Sequence, residues 1–429
     1  MSGLRFCMVT TFYPPYNFGG DGMGIQRFSQ ALVRQGHHVT VVQDVDAYNQ
    51  LSSGPEPVVG EASDGVQVIR LRSRFSALSV LLTQQAGRPV LQGNKIRRIL
   101  DDGQFDVINF HNISLVGGPG VLGAGNALKL YMAHEHWLIC PSHVLWRHNR
   151  EACSGRECLR CVLTYRRPPQ LWRYTGYLER QLQHIDAFIA MSEFSRDKHK
   201  EFGFTRPMEV VNYFLPGIGK AASGSSDDSN QGRPSERPYF LFVGRLERIK
   251  GLDDVIPVFK QYPEADLLIA GDGTHGEELK KLAAGIPNVK FVGRLAPSEL
   301  DRYYRHAVAL IVPSAGFETF GIILIEAFRQ STPVIARRIG PFPEIVERSN
   351  GGELFGDATE LVRAMRKIQS EPALRQRMAQ SAYDSFVSYW SEQAVVPKYL
   401  EVVRKTAQAK GRGELLRKLA HTNSLVSAL

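Results

Sequence analysis

Glu318 and Glu326 stand eight positions apart in "GFETFGIILIEAF", around a Phe-Gly pair and an apolar run. An acid ahead of a helix can simply favour the helix's positive end, and one on its solvated face needs no ligand. The same two acids can also grip a ligand rich in hydroxyls, because a carboxylate accepts two hydrogen bonds from a vicinal diol. Arg245 and Lys250, in "VGRLERIKG", add a guanidinium and an ammonium five residues apart. One offers a bidentate fork and the other a point charge, so together they can bracket a diphosphate; they can equally be solvated surface charges. A helix expected to start near Phe320 would add backbone N–H groups that receive phosphate. Two diols flanking a diphosphate describe a nucleotide sugar.

These groups need elements to carry them, and the chain repeats one plan twice. "FCMVTTF" reads as a buried strand, followed by a Pro/Gly-rich loop from Pro14 to Gly24 and a helix at "IQRFSQALVRQG". "HHVTVVQ", "FDVINFH", "LKLYMAH" and "DAFIAMS" are further strands. From Ala221 to Pro238 the composition falls to "AASGSSDDSNQGRPSERP", which reads as a flexible linker. The plan restarts with "YFLFVGRL", "ADLLIAGDG", "VKFVGRL", "ALIVPS" and "TPVIARRIG", and the tail is helical. Alternating short strands and helices predict α/β domains with parallel sheets covered on both faces. The expected layout is two doubly wound, Rossmann-like domains facing a central cleft, 1–220 and 239–384. Residues 221–238 link them, and helices in 385–429 return toward the first domain. Ligands then sit where strand C-termini converge.

Composition narrows the partners. The 429 residues carry a formal charge of +9, which favours anions: nucleotide phosphates, an acidic membrane surface or nucleic acid. The basic residues form no recognised nucleic-acid motif, so nucleic acid ranks last. No apolar run is long enough to span a bilayer, and the N-terminus reads as a strand rather than an export signal. Five cysteines in that setting suggest a reducing cytoplasm.

"FVGRLERIKG", "LLIAGDG", "VKFVGRL" and "PSAGFETFGIILIEAF", followed by "TPVIARRIGPFPEIV", occur in that order, and together they resemble the family 4 glycosyltransferases. Those are retaining enzymes of the GT-B fold, and the resemblance covers nearly the whole chain. It implies that Glu318 contacts the donor sugar and Glu326 the nucleotide ribose. Arg245 and Lys250 would hold the diphosphate with the Phe320 and Gly321 backbone, and Arg294 and Leu295 would lie near the base. The family's glycine loop is matched by Gly19-Gly20, although "DGMG" then delays the helix. Its His-Asp pair is matched by His134, which the resemblance would make a catalytic group near the sugar, but not by Glu135. The implied reaction moves a sugar from a nucleoside diphosphate to a hydroxyl acceptor, in cell-envelope polysaccharide or glycolipid synthesis. It would need no metal, since no Asp-x-Asp loop serves one here. A nucleotide-sugar epimerase of the same architecture is the alternative. A nicotinamide enzyme, prompted by Asp44 and the N-terminal glycines, fails because those glycines do not follow their strand as G-x-G-x-x-G.

Cys140, Cys153, Cys158 and Cys161 are spaced C-x12-C-x4-C-x2-C, which suits one structural zinc or four reduced loop cysteines. The same region interleaves Trp146, Trp172, Tyr174 and Tyr177 with Arg147, Arg150, Arg166, Arg167 and Arg173. That mixture fits an anionic lipid interface and a lipid-linked acceptor, or a solvated loop over the acceptor cleft.

Overall fold

The buried strands of the first half pair side by side into one parallel sheet. The computed structural model describes residues 3–52, 54–60, 65–217 and 232–426. Its strands begin with β1 (Arg5–Thr10), β2 (His38–Asp44), β3 (Val66–Leu71), β4 (Val107–Phe110) and β5 (Leu128–Ala133). A short antiparallel hairpin, β6 (Trp146–Arg147) and β7 (Glu151–Ala152), stands apart before β8 (Ala187–Ala190) and β9 (Met208–Val210). The sheet order is β3-β2-β1-β4-β5-β8-β9, reversing between β1 and β4.

The second half repeats this with β10 (Tyr239–Val243), β11 (Asp266–Ala270), β12 (Val289–Gly293), β13 (Leu310–Val312), β14 (Val334–Arg337) and β15 (Gly352–Phe355). Its order, β12-β11-β10-β13-β14-β15, reverses between β10 and β13. Every pair in both sheets is parallel, as near-continuous apolar strands require. These are two Rossmann-like domains, and each presents a crevice where its strand order turns. Residues 221–231 of the expected linker lie outside the described residues, and 232–238 run as turn and bend into β10.

The chain's last helices return to the first sheet. A helix at Glu392–Ala409 buries Tyr399 against Phe6 and Phe28, and its hydroxyl meets the Asn109 amide of β4 at 3.2 Å. Arg34 pairs with Glu392 at 2.6 Å, and Lys410 with Asp186 at 2.8 Å. Lys418, on the Gly413–Val426 helix, pairs with Asp106 at 2.8 Å.

The first helix departs from expectation. It runs from Gly20 to Arg34 and absorbs the "DGMG" stretch that sequence reasoning assigned to the loop. Glycine is tolerated there because the helix is pressed against its neighbours. A Cβ on Gly22 would lie 2.4 Å from Asn17 Oδ1, and one on Gly24 would lie 2.2 Å from the Tyr213 ring. Gly20 differs, since its Cβ would meet Ile322 Cγ2 at an ordinary 3.7 Å. Gly24→Ala should therefore cost stability, by roughly 1–3 kcal/mol for overpacking. Gly20→Ala should be neutral or gain up to about 1 kcal/mol from the removed glycine entropy. Chemical denaturation of the two variants checks this, and equal losses would mean the helix start is placed differently.

Candidate active site

The loops after β10 and β13 leave the sheet on either side of its switch point and meet in one cluster. Lys250 comes from the first loop and Glu318 from the second. Their Nζ and Oε1 atoms are 2.5 Å apart, and Ser314 donates its hydroxyl to the same oxygen at 3.2 Å. Burial works to raise the Glu318 carboxyl, but the Lys250 charge and these hydrogen bonds outweigh it and hold the group below the usual carboxylate range. Arg245 is more than half exposed and pairs with Glu247 at 2.7 Å. The two cations expected to act together are thus turned to different carboxylates.

The helix after this loop is Ile322–Arg329, two residues later than sequence reasoning placed it. Gly321 precedes it at φ +106, a conformation that favours glycine, and a Cβ there would strike the Phe342 ring at 2.8 Å. Its N-cap supplies no side-chain hydrogen bond, so a ligand can take the first backbone donors. Phe320 is buried beneath. One turn in, Glu326 accepts from the Tyr304 hydroxyl at 3.1 Å and faces Arg27 at 3.7 Å. Burial dominates and raises this carboxyl, opposite to Glu318. Arg27 and Tyr304 carried no distinguishing sequence signal.

From the first sheet, Gly19 caps the Gly20–Arg34 helix, and Gly20 approaches Ile322 at the start of the opposing helix. His134 follows β5 and its carbonyl accepts from the Thr319 hydroxyl at 2.9 Å, while Ser192 donates to the Thr319 carbonyl at 2.6 Å. The His134 ring is buried. One nitrogen bonds the Tyr213 hydroxyl and the other lies 2.7 Å from His111. Burial takes its pKa to about 3, so the ring is neutral near pH 7 with both nitrogens engaged. Beside it, Asn112 donates to both Asp21 and Glu135 at 3.3 Å, and His143 bonds Glu135 at 2.8 Å. Sequence reasoning missed Asp21 and Asn112, whose roles arise only where three strand ends converge.

Arg294 is exposed just after β12, and Leu295 packs partly against the core. The Asp-x-Asp at Asp44 and Asp46 serves the protein's own backbone. Asp44 caps the Val45–Leu51 helix, and Asp46 accepts from the Ser73 N–H at 2.7 Å. Among the described residues no three His, Cys, Asp or Glu side chains form a metal-holding group as they are turned here.

Comparison with known proteins bears on the whole chain. Residues 18–213 match the family model described as Glycosyltransferase Family 4, and residues 225–385 the one described as Glycosyl transferases group 1. The glycogen synthase of Mycobacterium tuberculosis is 26% identical over 425 residues, covering 93% of this chain and 94% of that one. The phosphatidyl-myo-inositol mannosyltransferase of Propionibacterium freudenreichii is 29% identical over 371 residues, 83% and 85% of the two chains. Sucrose-phosphate synthase of Thermosynechococcus elongatus shares the fold at TM-score 0.71 and 19% identity, covering 95% of this chain and 100% of that one. Anabaena HepE, solved with UDP and glucose, does so at 0.65 and 17%, covering 94% and 100%.

The Lys250–Glu318 pair has a measurable signature. With its folded value lowered, Glu318 contributes stability above the ordinary carboxylate value of 4.5, and that stability is lost as pH falls through the folded value. Lys250→Met leaves burial as the chief influence, so the Glu318 titration should move upward past that value. Carboxyl-carbon NMR of the variant against the parent reads the shift, and an unchanged midpoint would mean the pair does not form in solution.

Proposed function

Since the chain belongs to the family 4 glycosyltransferases of the GT-B fold, we propose that it transfers a sugar from a nucleoside diphosphate to a hydroxyl acceptor with retained configuration. The observation that carries this reading is the Lys250–Glu318 pair beside the uncapped start of the Ile322–Arg329 helix. That juxtaposition offers a cation, backbone donors and a carboxylate within one loop cluster. In this reading 1–220 bind the acceptor, 239–384 bind the donor, and the 385–429 helices hold the two together.

The roles follow from the groups. Arg245, Lys250 and the Phe320–Gly321 backbone hold the diphosphate, and Glu318 takes hydroxyls of the transferred sugar. Glu326, kept in place by Arg27 and Tyr304, takes the ribose diol, with Arg294 and Leu295 toward the base. Gly19 and Gly20 let the donor approach the first helix. Packing alone would admit a methyl at Gly20, so the ligand is the reason assigned to that glycine. The bond from the anomeric carbon to the diphosphate breaks, and the acceptor oxygen bonds that carbon on the same face. The acceptor's proton passes to the departing phosphate oxygen, so no protein base is required. His134 is a positioning residue rather than a catalytic one: its ring is neutral with both nitrogens engaged, and its backbone carbonyl accepts from the Thr319 hydroxyl. Leaving-group charge is assigned to Lys250, Arg245 and the helix start rather than to a metal ion.

Glu318→Ala should abolish most transfer while UDP binding survives, whereas Glu326→Ala should weaken binding as well. Arg245→Ala and Lys250→Ala should each lower turnover, by about 10²- to 10³-fold if each acts as a transition-state donor. Calorimetry with UDP and GDP, together with a transfer assay, decides. Full activity in Glu318→Ala, or parental nucleotide binding in both cation variants, would overturn the assignment.

We place the protein in the cytoplasm, at an anionic membrane that carries its acceptor. Among the described residues no helix is long and apolar enough to cross a membrane. The expected surface loses its tryptophans. Trp146 and Trp172 are buried, and Tyr174 is the exposed aromatic of that group. Exposed apolar side chains include Leu159 and Leu163 within that region, Leu171 and Tyr174 on its next turn, and Leu78 and Leu81 on the adjoining Ser76–Ala86 helix with Phe75 at its start. Arg74, Arg88, Arg166 and Arg167 lie nearby in the chain, and each basic residue at an anionic surface is worth about 1 kcal/mol. Flotation with anionic vesicles at low salt should retain the parent and lose Leu78→Ser/Leu81→Ser. No retention of the parent removes the membrane from the reading.

A further inference from the structure

The four cysteines after β5 take no part in the proposed transfer, yet the fold gathers them. Cys140 lies in the turn after Trp137, Cys153 directly follows β7, and Cys158 and Cys161 open the Cys158–Thr164 helix. The last two, three apart, share one helix face. All four line a single cavity of about 20 Å³. That volume admits one atom-sized guest, since a water needs roughly 10–15 Å³.

The apolar packing within this insert is small: Cys140, Leu145 and Phe202 are buried together, with Ile139, Cys153 and Phe317 partly buried against them. His143, Leu145, His148, Asn149 and Arg166 all take positive φ, a backbone that persists only where something else determines it. Charge is arranged for an anionic guest or centre. Arg147 and Glu157 both line the cavity and pair with each other at 3.3 Å, while Arg156 and Arg173 lie on the far side of Cys158, where all three line a larger groove. Arg173 is clamped between the Trp137 and Trp172 rings, 4.9 and 4.8 Å from their centres. It donates to Gln170 and to the Trp137 carbonyl, and no carboxylate stands within ion-pair distance among the described residues. A buried cation without a counter-ion is costly, and the acidic groups that act on this one are Cys140, Tyr131, Cys158 and Glu135.

We propose that Cys140, Cys153, Cys158 and Cys161 close on one structural zinc ion. As they are turned here, the thiols make local contacts instead. Cys140 meets the Ser142 hydroxyl at 3.2 Å, Cys153 donates to the Gly155 carbonyl at 3.1 Å, and Cys161 accepts from the His148 N–H at 3.3 Å. Closing the shell requires them to rotate inward. Four thiolates around a divalent ion form a net negative centre, which Arg156 and Arg173 would offset, Arg147 being paired with Glu151 and Glu157. Four sulfur ligands leave no open position, so the ion is structural and takes no substrate. The clamp has one consequence for the cleft, because the insert also carries His143, bonded to Glu135 at 2.8 Å.

Elemental analysis of the full chain purified under reducing conditions tests this without an activity assay. The expected result is about one equivalent of zinc, falling below a tenth in Cys158→Ser/Cys161→Ser. Cys7→Ser, which alters the buried cysteine in β1, should keep its zinc. UDP binding by the double variant reports whether the donor half remains folded. Should the variant fail to fold, the parent still decides: mercurial titration should release zinc as the cysteines react. Less than a tenth of an equivalent in the parent, stoichiometric iron in place of zinc, or a disulfide found by mass spectrometry would each overturn the proposal. None of these outcomes depends on whether sugar transfer is the reaction.

Discussion

The cleft exists because the chain's last long helix crosses back to the sheet where the chain began. Tyr399 is fully buried, and its hydroxyl reaches the Asn109 amide in β4 across 290 positions of sequence. Around it Phe6 and Phe28 pack ring against ring, so a polar contact is set inside an apolar joint. Each half could fold its own parallel sheet. This joint, with the Arg34–Glu392 and Lys410–Asp186 pairs at its edges, acts together with the direct Arg27–Glu326 and Ser192–Thr319 contacts in turning one switch point toward the other. Thr319 depends on it, since its hydroxyl and carbonyl both bond the first half, at His134 and Ser192.

Within that frame, two carboxylates on one segment acquire opposite character. Burial pushes both upward. At Glu318 an ammonium at 2.5 Å reverses the balance, whereas at Glu326 the guanidinium of Arg27 stands at 3.7 Å and does not. Charge attraction falls with distance, and a direct hydrogen bond adds to it only at the shorter one. Glu318 is therefore kept ionised and oriented. The two halves contribute unequally: Lys250 comes from the same sheet as Glu318, while Arg27 reaches Glu326 from the opposite one.

The central strands of both sheets, their parallel pairing and the position of the loop cluster were legible in the sequence, because buried strands and glycine-marked turns are local patterns; β3, β9, β15 and the β6–β7 hairpin were not. "VGRLERIKG" and "GFETFGIILIEAF" could be placed at strand ends without coordinates, and the loops that carry Lys250 and Glu318 do meet. The start of the first helix was not legible. Gly22 and Gly24 look like loop residues until the Tyr213 ring and Asn17 are seen against them. Pairings across long separations were equally hidden: Tyr399 with Asn109, Arg27 with Glu326, and Asn112 between Asp21 and Glu135.

Sequence by itself determined what the cleft is made of: doubly wound halves, glycine at the close approaches, and acids and cations on the loops that leave the strands. Tertiary structure decided how those groups are used. It turned Arg245 to Glu247, sealed the His134 ring between Tyr213 and His111, and buried the tryptophans expected at the surface. The reason is physical. Periodicity and turn chemistry act over a few residues, so composition encodes them directly. A side chain's partner, burial and ionisation depend on which distant element packs against it, and that is settled only when the two sheets close on one another.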